Sequence, residues 1–158
     1  MADVIALFGS LSDKKYIQES KMMDVFERVG VSVDVHVISA HRNADDLQKF
    51  CAEHPEPQVY IAGAALATAL PGAIAGASGM KSVVIGVPLD EHGIDSCLWM
   101  PPGVPVLTAG VGKAGLQNAA IAACQILSIG DSGVAGRLEK YLEETARKPQ
   151  FNVSLDAD

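Results

Sequence analysis

The chain has 158 residues, of which 49% are hydrophobic and 20% are charged, and this length is typical of one domain with a substantial core. Its net charge of −7 and its scattered lysines and arginines argue against nucleic acid as a partner, which needs a basic stripe. No apolar run approaches the roughly 20 residues of a membrane-spanning helix, and Met1-Ala2-Asp3 lacks the basic start of a signal peptide, so we expect a cytoplasmic protein without a membrane partner.

Five short segments rich in Val and Ile alternate with segments whose apolar residues recur at helical spacing. The predicted strands are residues 4–8, 31–39, 58–62, 82–87 and 104–108. The predicted helices are residues 14–29, 43–53, 71–77, 114–127 and 134–147, and residues 88–102 are less regular. This alternation predicts a parallel sheet with helices on both faces.

We expect a flavodoxin-like, or Rossmann-like, three-layer α/β/α sandwich with strand order 2-1-3-4-5 and an extra C-terminal helix. It forms a single domain over residues 1–148, and residues 149–158 are expected to be a loose tail. The helix at 114–127 is small and apolar on every side, so we expect its outer face to meet another subunit.

Three cysteines, Cys51, Cys97 and Cys124, lie in unrelated sequence settings. Their odd number and their spacing favour reduced thiols over disulfides or a metal site. We therefore expect no metal.

The chemically suggestive segments all follow a predicted strand directly. They are residues 9–13, 39–42, 63–72, 88–92 and 110–115. Because the carboxyl ends of parallel strands meet at one edge of the sheet, where such folds hold their ligands, we expect these loops to lie together.

His41 and Arg42 stand side by side where the second strand ends and a helix begins. Arginine can hold a phosphate through two hydrogen bonds, and histidine can give and take a proton near neutral pH. The alternative is a histidine that only bonds a backbone group at the helix start. His36 and His54 are expected to be structural, whereas the role of His92 is open because its loop is at the ligand edge.

The segment Gly9-Ser10-Leu11-Ser12-Asp13 offers hydroxyl and amide donors to an anion, and its aspartate can accept hydrogen bonds from sugar hydroxyls. The alternative is a helix cap by Ser12 or Asp13. The segment does not match the patterns of triphosphate or dinucleotide loops.

The loops at 63–72 and 110–115 are made of small residues that let the backbone line a tight pocket, or that simply allow helix and sheet to pack closely. Thr68 and Lys113 are their larger polar side chains. We expect Lys113 to cover the start of its helix rather than to contact a ligand.

Five motifs, taken together and in this order, resemble those of the PurE family over about residues 4–127. They are Gly-Ser-x-Ser-Asp at 9–13, Ser-Ala-His-Arg at 39–42, Ala-Gly with small residues and Leu-Pro-Gly at 62–72, Met-Pro-x-Gly-Val-Pro-Val at 100–106, and Gly-Lys-Ala-Gly-x-x-Asn-Ala-Ala at 112–120. This family makes 4-carboxy-5-aminoimidazole ribonucleotide for purine synthesis. Class I members are N5-carboxyaminoimidazole ribonucleotide mutases, and class II members are carboxylases that use CO2 directly.

The resemblance implies a role for each matching position. His41 would be the general acid and base that moves a proton at the imidazole ring carbon, and Arg42 would bind the 5′-phosphate. The other residues implied to contact substrate are Ser10, Ser12, Asp13, Ser39, Gly63, Ala64 and Leu70. The resemblance also implies a ribonucleotide substrate with CO2, no cofactor, and a homo-octamer in which the last helix packs across a subunit boundary.

Two features differ from class I members. Ala69 stands where these usually have a histidine, and residues 88–100 are shorter than usual, with Asp90-Glu91-His92 unlike either class. Mutase activity is the leading hypothesis. The alternatives are a direct carboxylase, a carboxylase of another nucleotide, and a nucleotide-binding module without catalysis.

Overall fold

Five parallel strands form the centre of the structure, a computed structural model that describes residues 2–55 and 57–145. The strands are β1 (Val4–Phe8), β2 (Val33–Val37), β3 (Val59–Ala64), β4 (Val83–Pro88) and β5 (Leu107–Thr108). Their order is β2-β1-β3-β4-β5, which confirms the predicted order and the flavodoxin-like α/β fold.

Helices within the described residues follow the strands and cover both faces of the sheet. They are α1 (Lys14–Glu19), α2 (Met22–Val29), α3 (Ala44–Glu53), α4 (Leu70–Ala77), α5 (Ile94–Leu98), α6 (Gly112–Ser128) and α7 (Ser132–Thr145). Two short 3₁₀ turns, Leu11–Asp13 and Glu91–Gly93, precede α1 and α5. No helix in the described ranges is both long and apolar enough to cross a membrane.

The core has two layers because successive residues of a strand point to opposite faces. Along β1, Val4, Ala6 and Phe8 pack with α2, α6 and α7, whereas Ile5 and Leu7 pack with α3 and α4. All five residues are buried, as expected for an apolar strand between two helical layers. The sheet is therefore a rigid support for the loops at its carboxyl edge.

The two edge strands are shorter than the sequence pattern predicts. β2 covers Val33–Val37 rather than residues 31–39, and β5 covers only Leu107 and Thr108 rather than residues 104–108. Proline has no N–H to donate to a strand ladder, so Pro105 ends the pairing of β5 with β4.

The predicted single helix at 14–29 is wrong, because it divides into α1 and α2 at Ser20. Ser20 has an extended backbone, with ψ at 168°. Its Oγ donates to the carbonyl of Ile17 at 2.9 Å and accepts from the N–H of Met22 at 3.3 Å. The serine side chain thus ends one helix and begins the next.

The C-terminal helix folds back onto its own chain. It begins at Ser132, where Asp131 Oδ1 accepts the N–H groups of Gly133 and Val134 at 2.8 and 3.1 Å. α7 packs against α2 and α6, so part of the apolar surface of α6 is covered within the chain. The expected contact of α6 with another subunit stays a prediction. The predicted helix end at 147 and the tail at 149–158 lie outside the described residues.

Candidate active site

A cavity of about 410 Å³ opens at the carboxyl edge of the sheet between β1 and β3. The chain leaves β1 toward β2 on one side and leaves β3 toward β4 on the other. Such a reversal of strand order separates two loops and leaves a crevice between them. The cavity is lined by residues 9, 10, 12, 13, 39–42 and 64–70. Three of the five loops that the sequence predicts to lie together therefore form one pocket.

The first wall is the 3₁₀ turn after β1, which is held by two reciprocal hydrogen bonds. Ser10 Oγ accepts from the N–H of Ser12 at 3.3 Å, and Asp13 Oδ2 accepts from the N–H of Ser10 at 3.0 Å. This is a capping box, with Ser10 rather than Ser12 as the N-cap. The cap and the cavity wall are thus made by the same side chains.

Asp13 is the buried carboxyl of the cavity, with only 3% of its surface exposed. Burial raises its pKa above the ordinary value, because water no longer solvates the charged form. Hydrogen bonds from the N–H groups of Ser10 and Gly9 act in the opposite direction but do not cancel this effect. The carboxyl is therefore desolvated but fixed in direction, as a group that accepts hydrogen bonds from a ligand should be.

The second wall is the turn after β2, which places His41 and Arg42 on the rim. Buried Ser39 accepts the N–H of Arg42 on its Oγ at 3.2 Å, which fixes the turn. Arg42 Nη2 donates to the carbonyl of Gly9 at 3.3 Å, so the guanidinium bridges the first two walls. The side chains of His41 and Arg42 are both exposed, and both line the cavity.

The third wall is residues 65–69, which we call the pocket loop. Leu66 and Thr68 both have positive φ, at 58° and 45°, which is uncommon for residues other than glycine. Thr68 is 2% exposed, and its Oγ1 donates to the carbonyl of Ala64 at 2.9 Å. The loop ends at Leu70, where α4 begins with Pro71 in its first turn.

The structure brings together eight of the nine candidate site residues. Ser10, Ser12, Asp13, Ser39, His41, Arg42, Ala64 and Leu70 line the cavity. Gly63 does not, because it lies behind the wall against Phe8, and a Cβ there would be 2.6 Å from the Phe8 ring. Sequence reasoning also gave no role to Thr68, although it is the polar side chain of a loop otherwise made of small residues.

The remaining polar candidates lie elsewhere. Lys113 forms an ion pair with Glu19 and does not line the cavity. Its expected cover of the helix start stays a prediction. The ring of Phe50 packs against both His36 and His54, with centroid distances of 4.7 and 4.1 Å, and neither histidine lines the cavity. His92 is exposed and bonds to Asp90 outside the cavity.

Gly110 and Gly115 pack backbone against backbone, since a Cβ on Gly115 would be 2.5 Å from the carbonyl oxygen of Gly110. The small residues of the 110–115 loop therefore serve close packing, which was one of the two interpretations. Within residues 2–55 and 57–145, no three His, Cys, Asp or Glu side chains are grouped so as to hold a metal ion. The cavity thus contains groups that can bind an anion, Arg42 and the serine turn, together with the buried carboxyl of Asp13 and the imidazole of His41.

A family model described as AIR carboxylase matches residues 3–148 of the chain. The N5-carboxyaminoimidazole ribonucleotide mutase of Escherichia coli K12 is 40% identical over 163 residues, covering 98% of this chain and 91% of that protein. The mutase of the same name from Methanocaldococcus jannaschii is 35% identical over 150 residues, covering 92% and 91%. The crystal structure of Treponema denticola PurE matches with a TM-score of 0.78 and 28% identity, covering 89% of each chain.

Proposed function

The chain belongs to the AIR carboxylase family, and we propose that it interconverts N5-carboxyaminoimidazole ribonucleotide and 4-carboxy-5-aminoimidazole ribonucleotide in de novo purine biosynthesis. One observation carries this proposal: a single cavity gathers His41, Arg42 and the capped serine turn in a chain 35–40% identical to proteins named as that mutase. Mutase activity is preferred over direct carboxylation because both named relatives are mutases.

Arg42 binds the 5′-phosphate in this proposal. Its guanidinium already lies 3.3 Å from the carbonyl oxygen of Gly9, so it faces the turn whose hydroxyls and amides can hold the other phosphate oxygens. A planar guanidinium can donate two parallel hydrogen bonds to a phosphate. Ser10 and Ser12 complete the grip, and Asp13 accepts hydrogen bonds from the ribose hydroxyls.

His41 moves the proton that the reaction requires. The bond between the exocyclic nitrogen and the carboxylate carbon breaks, CO2 leaves, and the nitrogen takes a proton. The ring carbon then attacks CO2, and loss of the proton on that carbon restores the aromatic ring. His41 can donate the proton to the nitrogen and accept the proton from the ring carbon, so its imidazole returns to its initial protonation state after each turnover.

CO2 must stay beside the ring between these two steps. Ala64 and the third-wall residues Ala65, Ala67 and Ala69 line the cavity without polar side chains, and the hydroxyl of buried Thr68 is taken up by its hydrogen bond to the carbonyl of Ala64. A dry wall of small residues lets the base approach closely and holds the released CO2 close to the carbon that it attacks.

We further propose that residues 1–148 act as one domain within a homo-octamer. This proposal is supported by large apolar side chains that are exposed to solvent in the single chain. Leu98, Trp99 and Ile129 are 60%, 82% and 88% exposed. Contiguous exposed apolar surface marks protein contacts, and Leu98 and Trp99 are neighbours in the chain. Light scattering on the purified chain measures the assembly.

Supplying two substrates separately tests the activity. The purified chain receives either the N5-carboxylated ribonucleotide or aminoimidazole ribonucleotide with bicarbonate, and formation of the 4-carboxy product is followed. Faster turnover of the first substrate supports the mutase, and faster turnover of the second supports the direct carboxylase. Nucleotide binding without turnover of either substrate refutes the proposed activity and leaves a binding module or a carboxylase of another nucleotide.

A further inference from the structure

We propose that Asp90 is a positioning residue that holds the pocket loop, residues 65–69, in the shape that the carboxyl transfer needs. Asp90 lies outside the cavity, in the segment between β4 and α5. This inference rests on the proposed function and assigns a role to Asp90 in the Asp90-Glu91-His92 segment. Asp90 does not line the cavity itself and acts through the pocket loop, which it contacts at Leu66.

The pocket loop needs such support because its backbone is in an uncommon conformation. Leu66 and Thr68 both lie in the left-handed region, where the Cβ of an ordinary residue crowds its own backbone. Two such residues within three positions persist only when neighbouring groups hold them. The side chain of Leu66 is 68% exposed, so packing of that side chain does not supply the restraint.

Asp90 supplies it through a hydrogen bond between segments that are 24 residues apart. Its Oδ2 accepts the N–H of Leu66 at 3.0 Å, and its Oδ1 accepts the N–H of His92, also at 3.0 Å. One oxygen therefore caps the 3₁₀ turn at 91–93 while the other holds the pocket loop. A carboxylate can accept both bonds at once, whereas an asparagine side chain has one acceptor for two donors.

Two further contacts attach the residues that follow, Gly93 of the 3₁₀ turn and Ser96 of α5, to the same loop. Ser96 Oγ donates to the carbonyl of Ala67 at 2.6 Å. Gly93 is buried against Thr68, and a Cβ built on it would overlap the Thr68 hydroxyl. The φ of Gly93 is −94°, so glycine is needed there for space and not for its backbone angle. Residues 66, 67 and 68 are thus each contacted by Asp90, Ser96 or Gly93, and all three line the cavity.

The Asp90→Asn variant tests the proposal, with Glu91→Gln as the matched control. The control makes the same carboxylate-to-amide change on the next residue, which is exposed. Amide hydrogen exchange of the full chain without substrate measures how firmly the loop is held. Steady-state kinetics with the N5-carboxylated ribonucleotide measure the consequence. Gly93→Ala is a second variant, with Gly76→Ala as its control, because a Cβ on Gly76 would meet no atom within 4 Å.

In Asp90→Asn we expect faster exchange across residues 65–69 and a fall in kcat of about tenfold or more, which corresponds to the loss of one charge-assisted hydrogen bond. KM should stay within about twofold, since the residues proposed to hold the phosphate are untouched. Gly93→Ala should give the same pattern, and both controls should match the wild type.

Unchanged exchange in the pocket loop of both Asp90→Asn and Gly93→Ala would overturn the proposal. A wild-type kcat despite faster exchange would overturn it too, because loosening of the pocket loop would then have no effect on catalysis. A parallel fall of kcat, KM and thermal stability would show a general structural defect instead of positioning. Absence of turnover in the wild type would refute the proposed function, whereas the exchange measurement would still decide whether Asp90 holds the loop.

Discussion

Replacing His41 by asparagine should remove the chemistry and leave the protein otherwise intact. A positioned general acid or base contributes about 10²–10⁴-fold to a rate, which is about 2.7–5.5 kcal/mol of barrier. We therefore expect kcat to fall by at least about 100-fold. KM should change by no more than about twofold, because Arg42 and the serine turn are proposed to hold the phosphate without help from the imidazole.

The exposure of His41 predicts that stability is unaffected. An exposed side chain away from a cap or a buried network contributes within about ±0.5 kcal/mol, which in a chain of this size moves the thermal midpoint by no more than about 2 °C. Mutase turnover, calorimetric titration with product and a thermal melt measure the three quantities on one preparation. His54→Asn is the control for turnover, since it makes the same change at a histidine outside the cavity. Turnover by His41→Asn within about twofold of wild type would refute the role of this imidazole.

Three other variants test the phosphate grip, the buried carboxyl and the wall of the cavity. Arg42→Met should raise KM about tenfold or more with little change in kcat, since a hydrogen-bonded charge pair contributes about 1.5–3 kcal/mol; an unchanged KM would place the phosphate elsewhere. Burial raises the pKa of Asp13 in the folded chain above the value in the unfolded chain. The contribution of Asp13 to the free energy of unfolding is therefore full at a pH below the unfolded pKa and is lost as pH rises through the folded pKa. Urea unfolding from pH 3.8 upward should therefore show a loss in the wild type that Asp13→Asn lacks; parallel curves would contradict the assignment. Gly63→Ala should cost about 1–3 kcal/mol by crowding the Phe8 ring, measured as a lower urea midpoint than that of Gly76→Ala.

Much of the fold follows from local sequence pattern. The short continuous apolar run at Val4–Phe8 is typical of a strand covered on both faces, and alternating strand and helix periods favour right-handed crossovers and a parallel sheet. Once the sheet is parallel, every strand-to-helix loop lies at one edge. This is why eight of the nine candidate residues line one cavity although they come from three separate parts of the chain.

The remaining features depend on contacts between segments that are far apart in sequence. Gly63 and Ala64 are both small residues at the end of β3, so the sequence does not distinguish them. In the structure Gly63 packs against the Phe8 ring and Ala64 lines the cavity. The hydrogen bond from Leu66 to Asp90 joins residues whose spacing follows no helix or strand period. Likewise, α7 covers α6 only because the chain turns back at Asp131. Periodicity reports which side of an element is apolar, whereas the partner that covers that side is set by three-dimensional packing.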